Sequence, residues 1–410
     1  MRSIAIVGAG QAGLQVGLGL LQQGCEVTML SDRTPNQLWN GRVLSSQFMF
    51  DQSLETERKL GLNFWEDDCP YTEGIALAIA DGQGGKAIDW EARLDRPGQS
   101  VDQRVKMPGW MHEFQRMGGD LRFVEAGVAE LEELAEANDL VIVASGKGEI
   151  GKLFERDEER SEFSAPQRAL ALTYLHGMAP RPTFTAVAFS IVPGVGEHFT
   201  FPALTTTGPC DILVFEGVPG GPMDCWHDVS TPEEHLERSL WIFEEFMPWE
   251  AERCRDVRLT DDQGILAGRF PPTIRKPVAQ LPSGAHVVGM ADAVVLNDPI
   301  TGQGSNNAAK CADVYYRSIL ARGNEPFDPE WMQATFEAFW EYVQYVVDWT
   351  NTLLKPPEPH LQKLLGAAQE RGDLAHRIVN GFDHPPDYHP WWFEEDAAEA
   401  LLAEEPTGVP

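Results

Sequence analysis

"VGAGQAGLQVG", residues 7–17, is a glycine-rich turn between an apolar run, "SIAIVG", and an apolar-periodic stretch, "QAGLQVGLGLLQQG". The run reads as a buried parallel strand, the stretch as a helix stopped by Gly24, and "CEVTMLSD" as a second strand, together a βαβ unit. Within it, Gly8-Ala9-Gly10-Gln11-Ala12-Gly13 has the G-x-G-x-x-G spacing of a dinucleotide turn. Gly8 permits the tight turn, Gly10 lets the backbone approach a pyrophosphate, and Gly13 lets the helix pack closely on the strand. The N–H groups of the helix start, at Gln11 and Ala12, then face the phosphates. A plain structural turn is the alternative. The motif alone does not separate a flavin from a nicotinamide dinucleotide.

A chain of 410 residues is long enough for two or three cores, although interleaved domains make any cut along it arbitrary. Its 43 % apolar and 23 % charged residues fit an ordinary globular protein rather than a disordered one. The formal charge of -31 repels phosphate backbones and anionic headgroups, so neither nucleic acid nor a membrane surface is expected as main partner. Solubility accounts for that charge most simply. No apolar run reaches the roughly 18 residues of a membrane span, and no signal-peptide pattern precedes Ser3, so a cytoplasmic location is expected. Cys25, Cys69, Cys210, Cys225, Cys254 and Cys311 form no CxxC pair and have no histidine at metal-ligand spacing. They read as free thiols. No metal site is expected, nor the active-site disulfide of a flavin disulfide reductase.

From Gly41 to Gly98 the pattern is mixed and reads as strands and loops lying over the cofactor. "VDQRVKMPGWMHEFQRMGG" reads as a helix, and "DLVIVASGKG" as a buried strand that rejoins the first sheet. Between Pro166 and Val218, β-branched and aromatic runs separated by Pro and Gly turns predict a mostly antiparallel second sheet. "TPEEHLERSLWIFEEFMPW" has the Thr cap and early acids of a helix, and "AHVVGMAD" is again a buried strand. After Gly302 the chain is helical: "EWMQATFEAFWEYVQYVVDWTNTLL" reads as a core helix, and the acidic "FEEDAAEALLAEEPTGVP" as a solvated tail.

The segment that decides the dinucleotide is "GMADAVVLNDPITGQGSNNAAK", residues 289–310. A strand ends at Asp292, Pro299 follows, and Gly302 and Gly304 open a helix. This resembles the second flavin motif of hydroxylase-type flavoproteins, in which the Asp binds a ribityl hydroxyl and the helix start, here with Ser305 and Asn306, faces the flavin ring. A helix N-terminus suits the negative charge of reduced flavin. The resembled motif has Gly before the Asp, where this chain has Ala291. With both ends present, FAD is the dinucleotide expected. The acid for a ribose hydroxyl falls at Ser31 with Asp32 next, so Asp32 either bonds the ribose or is a turn residue beside Arg33. Neither "DGQGGK" nor "GVPGGP" lies between a strand and an amphipathic helix, so no second dinucleotide fold is visible.

The chain as a whole resembles the styrene and indole monooxygenases, two-component flavoproteins, from about Arg2 to the "WTNTLL" stretch. The resemblance is carried by "IAIVGAGQAGL", "GRVLSS", "SVDQR", "VASGKGEIGKLFERD", "PQRAL" and "NDPITGQGSNN". It implies an α/β fold: a Rossmann-type FAD-binding domain of the glutathione-reductase-like kind interleaved with a mostly antiparallel substrate sheet and C-terminal helices. The expected partition is 1–165 for FAD binding with inserted strands, 166–284 for the substrate domain, 285–325 for the second FAD segment and 326–410 for the helical end. It implies reduced FAD supplied by a separate NADH-dependent flavin reductase, with O2 as cosubstrate. Arg42 and Ser46 would lie beside the flavin and Arg104 near the phosphates or ribityl chain, with a surface ion pair as each arginine's alternative.

"SSQFM" carries the substrate reading. Styrene-type members resemble Asn, Val and His at its alternate positions and indole-type members Ser, Gln and Met; here they are Ser45, Gln47 and Met49. An extended backbone puts all three on one face. Ile75 looks like the indole branch's apolar residue, whereas Gly98 departs from its usual Ala. The resemblance thus implies epoxidation of indole at its 2,3 bond through a C4a-hydroperoxyflavin, giving indoxyl and indigo, with styrene-like alkenes or sulfides as further substrates. A styrene monooxygenase is the nearest alternative. A flavin halogenase lacks its WxWxIP signature here, and a non-catalytic FAD-fold protein does not fit two intact glycine turns. A homodimer stays open.

Overall fold

In the computed structural model, which describes residues 2–146 and 148–406, the Ser3–Val7 strand is central to a six-stranded sheet. The order is Val278–Gln280, His286–Gly289, Leu140–Val143, Ser3–Val7, Glu26–Ser31, Asp120–Phe123. All neighbours are parallel except the edge pair formed by Val278–Gln280. Ile4, Ile6 and Ile142 are fully buried, as a parallel sheet covered on both faces requires. The helix Gln11–Gln22 covers it beside Gly304–Arg322 and Gln103–Arg116, and the Tyr315 hydroxyl donates to the Gly289 carbonyl at 2.7 Å.

The second sheet runs Arg258–Leu259, Ala169–His176, Gly208–Gly217, Gly196–Thr205, Ala186–Val192, Tyr71–Ala80, Lys86–Gln99, with Ile265–Gly268 also paired to Ala169–His176. It is antiparallel except where Tyr71–Ala80 meets Ala186–Val192. The hairpin of residues 71–99 therefore belongs to the second sheet. Its local pattern shows strands but not their distant partner.

Two expectations are corrected. Asp51–Lys59 is a helix within the stretch read as strands and loops. Its buried face is mostly polar (Ser53, Leu54, Glu57), so no apolar period announces it. The acidic end is not merely solvated. Its helix Glu395–Ala403 buries Ala398 and Leu401 against Pro359–Ala367, and Arg371 donates to the Leu401 and Leu402 carbonyls at its C-terminal end. Pro329–Leu353 is a core helix as read, with Trp331, Phe336, Phe339 and Trp349 buried. Among the described residues no helix is long and apolar enough to cross a membrane. All six cysteines are free thiols.

Candidate functional site

Three parallel strands end side by side at the crest of the first sheet. A Cβ on Gly8, whose φ is +116°, would meet the Ala144 carbonyl carbon at 3.0 Å, and one on Gly146 the Asp292 carbonyl oxygen at 3.1 Å. One on Gly13 would lie 2.0 Å from the Gly8 carbonyl oxygen, which fixes how closely helix and strand approach. Gly10, Gly302 and Gly304 show the opposite: a Cβ there meets nothing within 4 Å. Both turns thus face open space at the starts of the helices Gln11–Gln22 and Gly304–Arg322. Neither start has a side-chain cap, whereas Thr34, Asp102, Thr231 and Asp328 cap theirs. Uncapped N–H groups beside bare glycines form a cradle that fits an anionic dinucleotide at both ends.

Asp292 is exposed in the short turn Ala291–Ala293, just below the second cradle. Ala291 precedes it with φ +51°, a left-handed conformation that strains any residue with a Cβ. This accounts for the Gly in the resembled motif. Ala291→Gly is therefore expected to hold stability or raise it by up to about 1 kcal/mol in urea unfolding, instead of the loss of about 0.5–1 kcal/mol that Ala-to-Gly brings at ordinary φ. At the end of Glu26–Ser31, the Ser31 hydroxyl is tied to the Arg33 carbonyl at 2.7 Å, while Asp32 is open and lies 3.6 Å from Arg33.

The "SSQFM" stretch is clamped from the second cradle. The Asn306 amide accepts from the Phe50 N–H at 2.9 Å and donates to the carbonyls of Phe48 (2.9 Å) and Gly302 (3.2 Å). The Asn306 amide thus holds the backbone of residues 48–50. Met49 pairs with Gln99 through both backbone groups. The alternation then separates two faces. Phe48 and Phe50 enter the aromatic core that also holds Ile75 and Phe201. Gln47 and Met49 line a narrow cavity with Gln11, Glu57, Lys106 and Ser305. Ser45 sits at its edge, where its hydroxyl accepts from Gln103 at 2.8 Å, and Ser46 is half-buried beside it. Ile75 does not line this cavity.

The two arginines differ in what they leave free. Arg42 is exposed at a separate cleft with Trp226, Thr231 and Gln263. Arg104 is 2 % exposed and uses its donors within the protein: Asp102, both oxygens of Asp261, Thr205 and the Gly41 carbonyl. With its guanidinium so engaged, Arg104 ties the loop before the substrate stretch to the second sheet and is not free for a phosphate.

The sequence reading missed a buried ion pair. Lys106 and Glu57, 4 % and 1 % exposed, bond to each other, and Glu57 also accepts from Gln11 at 2.9 Å. The Lys106 ammonium lies 3.2 Å from the Met49 sulfur and 4.8 Å over the Trp110 ring. One signal was available: Lys106 and Trp110 are four apart, so the lysine stands on the apolar face of its helix.

Among the residues that line the cavity, Gln47 has a buried acceptor with no partner among the described residues. The Tyr174 hydroxyl, held protonated well above its usual range by burial, donates to the Ser45 carbonyl at 3.1 Å. Its oxygen can then only accept, so Gln47 offers it Nε2 at 3.2 Å and turns Oε1 away. That Oε1 is buried and unpaired among the described residues.

Residues 146–253, which include Tyr174, match the family described as "Styrene monooxygenase A putative substrate binding domain". Styrene monooxygenase StyA of Pseudomonas fluorescens is 29 % identical over 395 residues, covering 94 % of this chain and 93 % of its own. StyA of a further Pseudomonas species is 28 % identical over 393 residues, with the same coverage. Among solved structures, the flavin-dependent brominase Bmp2 superposes with TM-score 0.67 at 13 % identity, and a flavoprotein/dehydrogenase from Cytophaga hutchinsonii with 0.68 at 14 %; each covers 98 % of both chains. These two establish a shared fold.

Proposed function

Because the chain belongs to the styrene monooxygenase family, we propose that it is the oxygenase component of a two-component flavin monooxygenase and that it prefers indole to styrene. When bound and reduced by a partner reductase, FAD supplies the oxygen-activating chemistry, passing one atom of O2 to an electron-rich carbon–carbon double bond. This chain's residues bind, orient and exclude water. In this reading the uncapped starts at Gln11 and Gly304 would offer N–H groups to the pyrophosphate and the anionic flavin ring, and Asp292 would bond a ribityl hydroxyl. Neither other glycine-rich stretch opens a helix: residues 81–85 turn a hairpin and 217–222 end a strand. That supports reduction by a separate protein.

The observation that carries the indole reading is the unpaired Gln47 Oε1. Indole brings an N–H to it, whereas styrene leaves it unsatisfied, a difference of about 1–3 kcal/mol, or roughly tenfold to a hundredfold in selectivity. The enclosed space is about 20 Å³, so the flexible Met49 thioether has to move as substrate enters. Gln47→Leu should lower the indole-to-styrene ratio of kcat/KM by roughly tenfold or more. Ser45→Asn, Gln47→Val and Met49→His together should push it further towards styrene. An unchanged ratio in both variants would remove the indole reading and leave the oxygenase reading standing.

A further inference from the structure

Two stretches that carry the family resemblance, "PQRAL" and "NDPITGQGSNN", meet in a buried cluster that the proposed function does not use. Arg168 holds both oxygens of Glu197, at 2.6 and 2.9 Å, and donates to the Gln167 carbonyl at 2.9 Å. Glu216 stands directly opposite Glu197 in the strand register, fully buried, and neither of its oxygens receives an N–H from the described residues. Its neighbour is the Asp298 carboxyl group, 3 % exposed and within hydrogen-bond reach. Asp298 in turn accepts from the Ile300 N–H at 3.2 Å and so shapes the Pro299–Thr301 turn before the second cradle.

Charge decides the state of this cluster. Two buried carboxyl groups, Glu216 and Asp298, and the half-buried Glu197 face one arginine, which Glu197 already engages. An ionised Glu216 would be a buried anion without a donor, opposite a like charge across the strand pair. We propose that Glu216 is held as a neutral acid whose O–H donates to Asp298, making it the positioning residue that ties the flavin-facing turn to the substrate sheet. The charged groups facing the pair are Arg168, from the segment before Ala169–His176, and Glu197, from Gly196–Thr205. Burial raises Glu216 well above the carboxylate range, helped by Asp298 and Glu197, and raises Asp298 to about 6.

Glu216→Gln and Glu216→Leu separate this from a merely structural role. A proton kept on folding but lost from the unfolded chain above its ordinary value of about 4.3 makes stability fall as pH rises. From about pH 5 to 7 the wild-type folding constant should therefore fall about tenfold more per pH unit than that of Glu216→Gln, measured by urea unfolding. Infrared difference spectra at pH 7 should show a protonated-carboxyl band that Glu216→Gln lacks. Binding of oxidised FAD should weaken by roughly tenfold or more in Glu216→Leu and return to near wild type in Glu216→Gln, whose amide still donates. The first two readouts need no flavin, so they stand even if FAD binding fails. Equal pH slopes, a band that survives in Glu216→Gln, or a Glu216→Gln chain that does not fold would each overturn the proposal.

Discussion

Gly13→Ala is expected to destabilise the chain by about 3 kcal/mol or more and to abolish measurable FAD binding, the largest single effect at either cradle. The added methyl would lie 2.0 Å from the Gly8 carbonyl oxygen, and Gly8 is itself held against Ala144 in a φ open only to glycine. Both obstacles are backbone. Relief requires opening the helix–strand contact that sets the turn. Gly10→Ala makes the control: its Cβ meets nothing within 4 Å and its φ is an ordinary -92°, so stability should change by less than about 1 kcal/mol. Its methyl nevertheless enters the open space that we assign to the pyrophosphate, and FAD affinity should fall roughly tenfold or more. Urea unfolding and flavin fluorescence titration measure both quantities. A Gly13→Ala chain that folds and binds FAD like wild type would show that the turn is not packed as described.

Lys106→Met should be nearly as damaging, by about 3–5 kcal/mol, because it strands the Glu57 carboxylate in a buried site with only the Gln11 amide, among the described residues, as donor. Adding Glu57→Gln to Lys106→Met should recover most of that loss, since both charges then leave together. The same double variant removes the ammonium contact of the Met49 sulfur, so the thioether is held less firmly at the cavity even where stability returns. A single variant no less stable than the double one would mean that the pair is not a coupled buried unit.

These two sites differ in how far the sequence exposes them. The Gly8–Gly13 turn is legible because strand, glycine spacing and helix are contiguous, and the second cradle because Asp292, Pro299, Gly302 and Gly304 lie within a short run. Lys106 and Glu57 lie 49 residues apart on separate helices. One of those helices has a polar buried face, so local periodicity neither reveals the helix nor the pairing. Alternation correctly separates Gln47 and Met49 from Phe48 and Phe50. It carries no information on which of these faces Ile75 joins. Arg104 shows the same limit from the other side, because its main partner, Asp261, is 157 residues away. The pairing of Tyr71–Ala80 with Ala186–Val192 is likewise a long-range choice that no local pattern encodes.

The central claim is that this chain oxygenates an electron-rich double bond with reduced FAD that another protein provides. The most direct measurement incubates the pure chain with NADH, FAD, O2 and indole or styrene, with and without a flavin reductase, and follows NADH and products. Negligible NADH oxidation is expected from the chain alone. With reductase present, indoxyl and indigo should form from indole at a higher kcat/KM than styrene oxide from styrene. Rapid substrate-dependent NADH oxidation without reductase, or halogenated rather than oxygenated indole when bromide is added, would contradict it.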